Sequence, residues 1–228
     1  MVSLFLSYLL LALPFSIGER IVYSVKINFL KVGNLELEII DTLTYKGEKA
    51  YKARMIFETK GLVSSFISVA DTIYTIFSKN NGYSLFYEKR LKESKYKAHL
   101  IIEYNQSEGE AVYSNGKKYK IKFGSIDPLN MFYFIRRFDL KVGDTLKVPY
   151  HVDGRNQTAY FIVVKEKKKK GKVYQKILFN IKGAGIFKGK GLEVWFSKDS
   201  LKIPVELKVK VFFGSMKGKL VYYEPGRG

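Results

Sequence analysis

The chain has 228 residues, with 40 Lys and Arg against 21 Asp and Glu, a net charge of +19 and no Cys. The missing cysteine excludes disulfides, thiolate metal sites, cysteine nucleophiles and lipid-modified cysteine, and the length is enough for one domain held together by its own core. The positive excess draws anionic partners such as lipid headgroups or acidic polysaccharide, but the lysines are spread over nearly every segment rather than gathered on one reading element, so no nucleic-acid partner is expected.

Met1 to Gly18 carry no charged side chain, and Leu4 to Phe15 are almost wholly apolar. About twelve apolar residues fall short of the roughly twenty that span a bilayer. They match the core of an export signal. Ser16 and Gly18 supply the small residues asked for at the third-last and last positions. Residues 1–18 are therefore expected as a signal peptide cut after Gly18, with 19–228 as a single domain. An uncleaved N-terminal anchor is the competing reading, because no Lys or Arg precedes the apolar run.

Beyond Glu19 the dominant period is two, the mark of strands with one buried face. Ile21, Tyr23, Val25, Ile27 and Phe29 share a face, as do Leu35, Leu37 and Ile39, and Tyr51, Ala53, Met55 and Phe57. The pattern returns at Tyr96 to Tyr104, at Tyr119, Ile121 and Phe123, at Leu146 to Val152, at Val173 to Ile181, at Val205 to Val211 and near Leu220 to Tyr223. Asn81-Gly82, Asn115-Gly116 and Asp153-Gly154 are tight-hairpin dipeptides. The Lys167–Lys170 run before Gly171 reads as a solvated hairpin tip.

One segment breaks the period. Asp127 can cap a helix and Pro128 suits its first position. Leu129, Phe132, Tyr133 and Arg136 follow at helical spacing, and Arg136 and Arg137 fall in the last turn, where cations oppose the helix dipole. A helix is expected from Pro128 to Arg137, with a second helical turn near Ser64–Val69. The fold class is mostly β: an antiparallel, strongly curved sheet or partly open β-barrel, with one short helix covering or plugging it.

Glu19-Arg20-Ile21-Val22-Tyr23, Asp127-Pro128-Leu129 with Tyr133 and Arg136, Trp195-Phe196-Ser197-Lys198-Asp199, Ile203-Pro204-Val205 and Gly214-Ser215 occur in an order that resembles the exported bacterial proteins called domain of unknown function 3108. The resemblance covers nearly the whole mature chain. It implies a periplasmic or cell-envelope location and a β-rich, partly open barrel like those of periplasmic lipoprotein carriers. It implies no activity and supplies no catalytic residue.

Catalytic chemistry is thinly represented. His99 lies on a charged strand face and His151 on the face opposite Val148, beside a turn, and a metal site would need them to converge with a carboxylate. Asp71, Asp127 and Asp199 sit at element ends, where caps and turns employ them. Gly183 to Gly191 is followed by a strand pattern, whereas a phosphate loop needs a helix. No catalytic residue, metal or cofactor is expected, and no enzyme activity. The aromatics, 15% of the chain, either fill the barrel or line a cavity. The expected function is a non-enzymatic envelope protein that binds a lipid or other apolar ligand inside a half-open barrel, with Leu129, Phe132, Tyr133 and Trp195 as ligand-binding candidates. The alternative is a structural or interaction protein with a filled core and a cationic surface docked on an anionic membrane surface or other anionic envelope components.

Overall fold

The computed structural model describes residues 13–61, 64, 68–94, 96–181, 191–211 and 214–227. Alternating apolar and polar residues make most of them strands. A first meander runs through β1 (Arg20–Ile27), β2 (Leu30–Tyr45), β3 (Glu48–Thr59), β4 (Ala70–Ser78), β5 (Ser84–Glu93), β6 (Tyr96–Asn105), β7 (Glu110–Tyr113) and β8 (Lys118–Lys120). A second runs through β9 (Thr145–Val152), β10 (Arg155–Lys169), β11 (Lys172–Ile181), β12 (Leu192–Ser197), β13 (Pro204–Val211) and β14 (Gly214–Glu224). β1 pairs antiparallel with β14, which joins the two meanders into one 14-stranded antiparallel sheet with β8 and β9 at its edges.

The sheet curls but does not close. Past β8 the chain reaches across to β9: Ile126 donates its N–H to the Pro149 carbonyl at 2.9 Å and accepts from the His151 N–H at 3.1 Å. Asn156 adds a bond from Nδ2 to the Lys120 carbonyl at 2.5 Å. This is the partly open β-barrel expected from the patterning, plugged by one short helix between its edges. Among the described residues no helix is long and apolar enough to cross a membrane.

Among the described residues the inward faces form one continuous apolar core. Ile21, Tyr23, Leu37, Ile39, Tyr51, Ala53, Ile102, Tyr104, Val148, Tyr150, Ile177, Phe179, Leu207 and Val209 are buried together in one cluster, as their alternation requires. Three aromatics placed on inward faces leave them. β1 ends at Ile27 and the chain reverses at Asn28, φ +53°, so Phe29 stands 97% exposed at the tip. Phe123 lies beyond the end of β8, and Tyr96 begins β6 in solvent. At the expected turns, Gly82, Gly116 and both Asp153 and Gly154 take positive φ.

β4 and β5 escape the period-two pattern because both of their faces are covered. On the far face Ala50, Ile76, Tyr83 and Leu85 form a second small core with Leu43, Tyr45 and Phe86. Continuous burial erases alternation. The helical turn expected near Ser64–Val69 lies largely outside the described residues, as do residues 183–190 of the glycine-rich stretch.

Candidate functional site

The connection from β8 to β9 carries the plug. In place of one helix from Pro128 to Arg137, residues 128–130 form a turn, α1 spans Met131–Phe134, and a 3-10 turn spans Ile135–Arg137. Asp127 caps this start as expected: its Oδ1 accepts the N–H groups of Leu129 at 2.8 Å and Asn130 at 2.9 Å, and its carbonyl accepts the Met131 N–H at 3.3 Å. Its Oδ2 accepts the hydroxyls of Thr75 at 2.5 Å and Ser84 at 2.6 Å, which pins the plug to β4 and β5. Asn130 adds a bond from Nδ2 to the Gly82 carbonyl. Burial raises the Asp127 pKa, and the hydrogen bonds from Ser84 and Thr75 pull the other way.

The aromatics of the plug face the core. Phe132 packs against Phe179, ring centres 5.8 Å apart, and Tyr133 stacks on Phe77 at 5.4 Å. Leu129 is buried beside them. Phe134 is the exception among the three consecutive aromatics, half-buried against Phe138. Of the four candidate ligand residues, the structure thus gathers Leu129, Phe132 and Tyr133 into filled interior. Trp195 is elsewhere. Leu192, Val194 and Phe196 point inward from β12, so Trp195 points outward, where Lys167 Nζ sits 3.7 Å from its ring centre.

Arg136 emerges from the plug and ends inside the protein. Its Nη1 and Nη2 each donate to one oxygen of Glu19 at 2.7 Å, and both residues are 1% exposed. Nη2 also donates to the carbonyls of Pro14 and Leu201, both at 2.8 Å. Burial alone would lower the arginine's pKa. The Glu19 carboxylate outweighs it and holds the pKa raised. Helical spacing had grouped Arg136 with the apolar face, and the partner that makes this possible lies 117 residues away.

Beside this ion pair a cleft of about 570 Å3 opens to solvent between the 3-10 turn, the following loop and β11–β12. Ile135, Phe138, Leu140, Ile177 and Phe196 give it an apolar floor, and Leu13 and Pro14 form a wall. Its rim is cationic: Arg137, Lys141, Lys198 and Lys202 line it, with Asp139 and Asp199. Lys202 pairs with Asp139 at 2.5 Å and Lys198 with Glu166 at 2.6 Å. Arg137 donates to the carbonyls of Lys79 and Asn80. Gly82, φ +80°, makes room for it, since a Cβ there would lie 3.1 Å from the arginine side chain. Burial lowers the Arg137 pKa. None of Leu129, Phe132, Tyr133 and Trp195 lines this cleft. Phe138 and Leu140, which do, lie past the end of the helical pattern, where their spacing carries no signal.

The histidines stay apart from it. His99 is exposed and contacts Glu88 at 2.7 Å. His151 is buried where the two sheet edges meet, between Tyr113 and Asn156. Asp71, near the start of β4, accepts the Lys92 N–H of β5, and Asp199 accepts the N–H groups of Leu201 and Lys202 in a turn. Among the described residues no three His, Cys, Asp or Glu side chains could together hold a metal ion.

The model of a family described as "Protein of unknown function (DUF3108)" matches residues 22–221. None of the curated proteins matches the chain. Among solved structures the fold is similar to a β-barrel-like protein of domain of unknown function DUF1849 from Brucella abortus, with a TM-score of 0.60 and 13% identity over 92% of this chain and 98% of that one. A DUF1089 family protein from Pseudomonas aeruginosa matches at a TM-score of 0.44 and 10% identity, over 77% of this chain and 89% of its own. At such identities the likeness to the Brucella protein is one of fold.

Proposed function

We infer that this chain, which belongs to the DUF3108 family of proteins of unknown function, is a non-enzymatic protein of the cell envelope that holds an amphipathic, anionic-headed ligand of the lipid class. The observation that carries this is the cleft beside the plug. Its volume of about 570 Å3 is of the size that takes small organic ligands. Its floor suits an acyl chain, and the rim cations suit a phosphate or carboxylate head. The Lys202–Asp139 pair is exposed on its acidic side, 80% for Asp139. Such a pair is weak in water, so an incoming anion can take the lysine over.

The β10–β11 hairpin supports an anionic membrane surface as the place of loading. Lys165, Lys167, Lys168, Lys169, Lys170 and Lys172 crowd its outer part, and Lys169 faces Lys172 and Lys165 faces Lys176 across the strands. Like charges directly opposite destabilise a hairpin, and an anionic surface removes that cost. The hairpin starts at the cleft: Gln175 donates from Nε2 to the Leu140 carbonyl at 2.8 Å and to Glu166 at 3.2 Å. Placement in the envelope rests on the charge-free apolar leader.

A second reading has an observation of its own. The filled interior around Tyr133 favours a structural protein whose cationic surface docks on anionic envelope components. Native mass spectrometry of the protein purified from cells, with lipid extraction, separates the two. A stoichiometric lipid lost in Leu140→Glu supports the carrier reading. A bare protein that takes up no fatty acid or phospholipid overturns it and leaves the structural one.

A further inference from the structure

We propose that Leu13–Gly18, the end of the expected leader, stays with the working protein as a strap that seals the barrel and walls the cleft, so that any cut releasing the leader falls N-terminal to Leu13 and not after Gly18. The existence of a cut rests on the export reading above. The retention of the strap rests on geometry alone.

Phe15 is a core residue, 4% exposed. Its ring meets Tyr51 at 5.6 Å, Phe77 at 6.1 Å and Tyr133 at 5.4 Å, all edge-on, and the Arg136 guanidinium lies 5.1 Å from its centre. The backbone on either side is tied down. Gly18 donates to the Ile39 carbonyl at 2.8 Å on β2, and Ile17 accepts from the Arg227 N–H at 2.7 Å. Gly226 lies so close that a Cβ on it would meet Ser16 Oγ at 2.4 Å and the Ser16 carbonyl oxygen at 2.5 Å. Pro14 gives its carbonyl to Arg136, and Leu13 and Pro14 line the cleft. The strap is therefore held by β2, by the C-terminal segment and by the plug at once.

A cut after Gly18 would undo each of these. It would empty the space of a phenylalanine ring next to Tyr133, and large buried rings are costly to remove. It would take one carbonyl from a buried guanidinium. It would turn the Glu19 N–H, which now donates to the Ser16 carbonyl at 3.1 Å, into an ammonium on the residue that pairs with Arg136. A second cation beside the first competes for the same carboxylate, and loss of the strap opens the pair to water. The cleft would also lose a wall. Small residues at 16 and 18 are explained without a peptidase: Gly18 takes φ +84°, and Ser16 lies against Gly226.

Two measurements test this. The full chain is expressed in a bacterium, and the product is characterised by intact mass and N-terminal sequencing. An N-terminus at Leu13 or earlier is expected, and a folded product that begins at Glu19 overturns the proposal. An intact Met1 on membrane-bound protein supports the strap and overturns the cleaved-export reading instead. In parallel, chains made to start at Leu13 and at Glu19 are melted. The shorter chain, and Phe15→Ala in the longer one, should melt roughly 6–20 °C lower, with Phe15→Leu in between. A Glu19 chain that melts within about 2 °C of the longer one, less than one kcal/mol in a protein of this size, would show that the strap contributes nothing.

Discussion

Tyr113 Oη lies 2.9 Å from Nε2 of His151 and is the donor in that bond. The chain of partners fixes this. Asn156 spends Nδ2 on the Lys120 carbonyl, so Oδ1 faces His151 Nδ1 at 2.7 Å and accepts a hydrogen bond from its N–H. Nε2 is left as an acceptor, which the tyrosine satisfies while its own oxygen accepts from the Gly154 N–H at 2.7 Å. A neutral imidazole thus completes the network that joins the two sheet edges.

Burial lowers the His151 pKa from its ordinary 6.5, against the smaller opposing effects of Asn156 and Asp153. The unfolded chain therefore binds a proton at higher pH than the folded one does, and stability falls as pH drops below about 6.5. The stability linked to this residue is fully present above that value and is lost toward the lower folded pKa. Urea titrations between pH 7.5 and 5 should show the decline, and His151→Gln should flatten it. An unchanged slope in the variant would assign the decline to other groups.

Removing one half of the buried Glu19–Arg136 pair strands the other. Arg136→Met should cost about 3–5 kcal/mol, and Glu19→Gln with Arg136→Met should be more stable than Arg136→Met alone. Denaturation midpoints of the single and double variants check the order.

Asp127→Ala leaves two buried hydroxyls and two N–H groups without their acceptor. A loss of about 1–3 kcal/mol is expected, with Thr75→Val milder because it removes a single donor. Amide exchange should quicken in residues 128–137 if the plug is released locally.

Phe132→Ala and Leu140→Glu separate core from cleft. The first should cost about 3–5 kcal/mol and leave ligand retention per folded molecule unchanged. The second should abolish retention with little change in melting temperature. Both read against extracted lipid; a reversal of the two phenotypes would move the ligand into the barrel.

Replacing Lys168, Lys169 and Lys170 by Gln should weaken binding to anionic vesicles by about 1 kcal/mol per lysine, roughly a hundredfold in all, without lowering the melting temperature. High salt should erase the difference. Equal binding of both proteins would remove the hairpin from the membrane reading.

The fold was legible where one face is wet. β1, β6, β9 and β13 announce themselves through alternation, and the hairpins through Asn81-Gly82, Asn115-Gly116 and Asp153-Gly154. β4 and β5 were not, because cover on both faces removes the polar half of the period. The plug was legible as a location and a cap, through Asp127 and Pro128, but its break into a turn, α1 and a 3-10 turn was not, nor were the anchors Thr75 and Ser84, which lie on distant strands. The site was the least legible. Its floor comes from Ile135, Phe138, Leu140, Ile177 and Phe196, five positions on three stretches of chain that only the curl of the sheet brings together. Phe15 was hidden for another reason: an apolar leader and an apolar core strap are written in the same residues.

The β1–β14 seam has a consequence for assembly. Among the described residues every other strand pair joins neighbours in sequence and can form as the chain emerges. β1 alone waits for a partner from the far end of the domain, Arg20 opposite Glu224 and Ile27 opposite Met216. Until β14 arrives the growing barrel exposes the open hydrogen-bonding edge of β1, an invitation to foreign strands. Completion is therefore gated by the last strand.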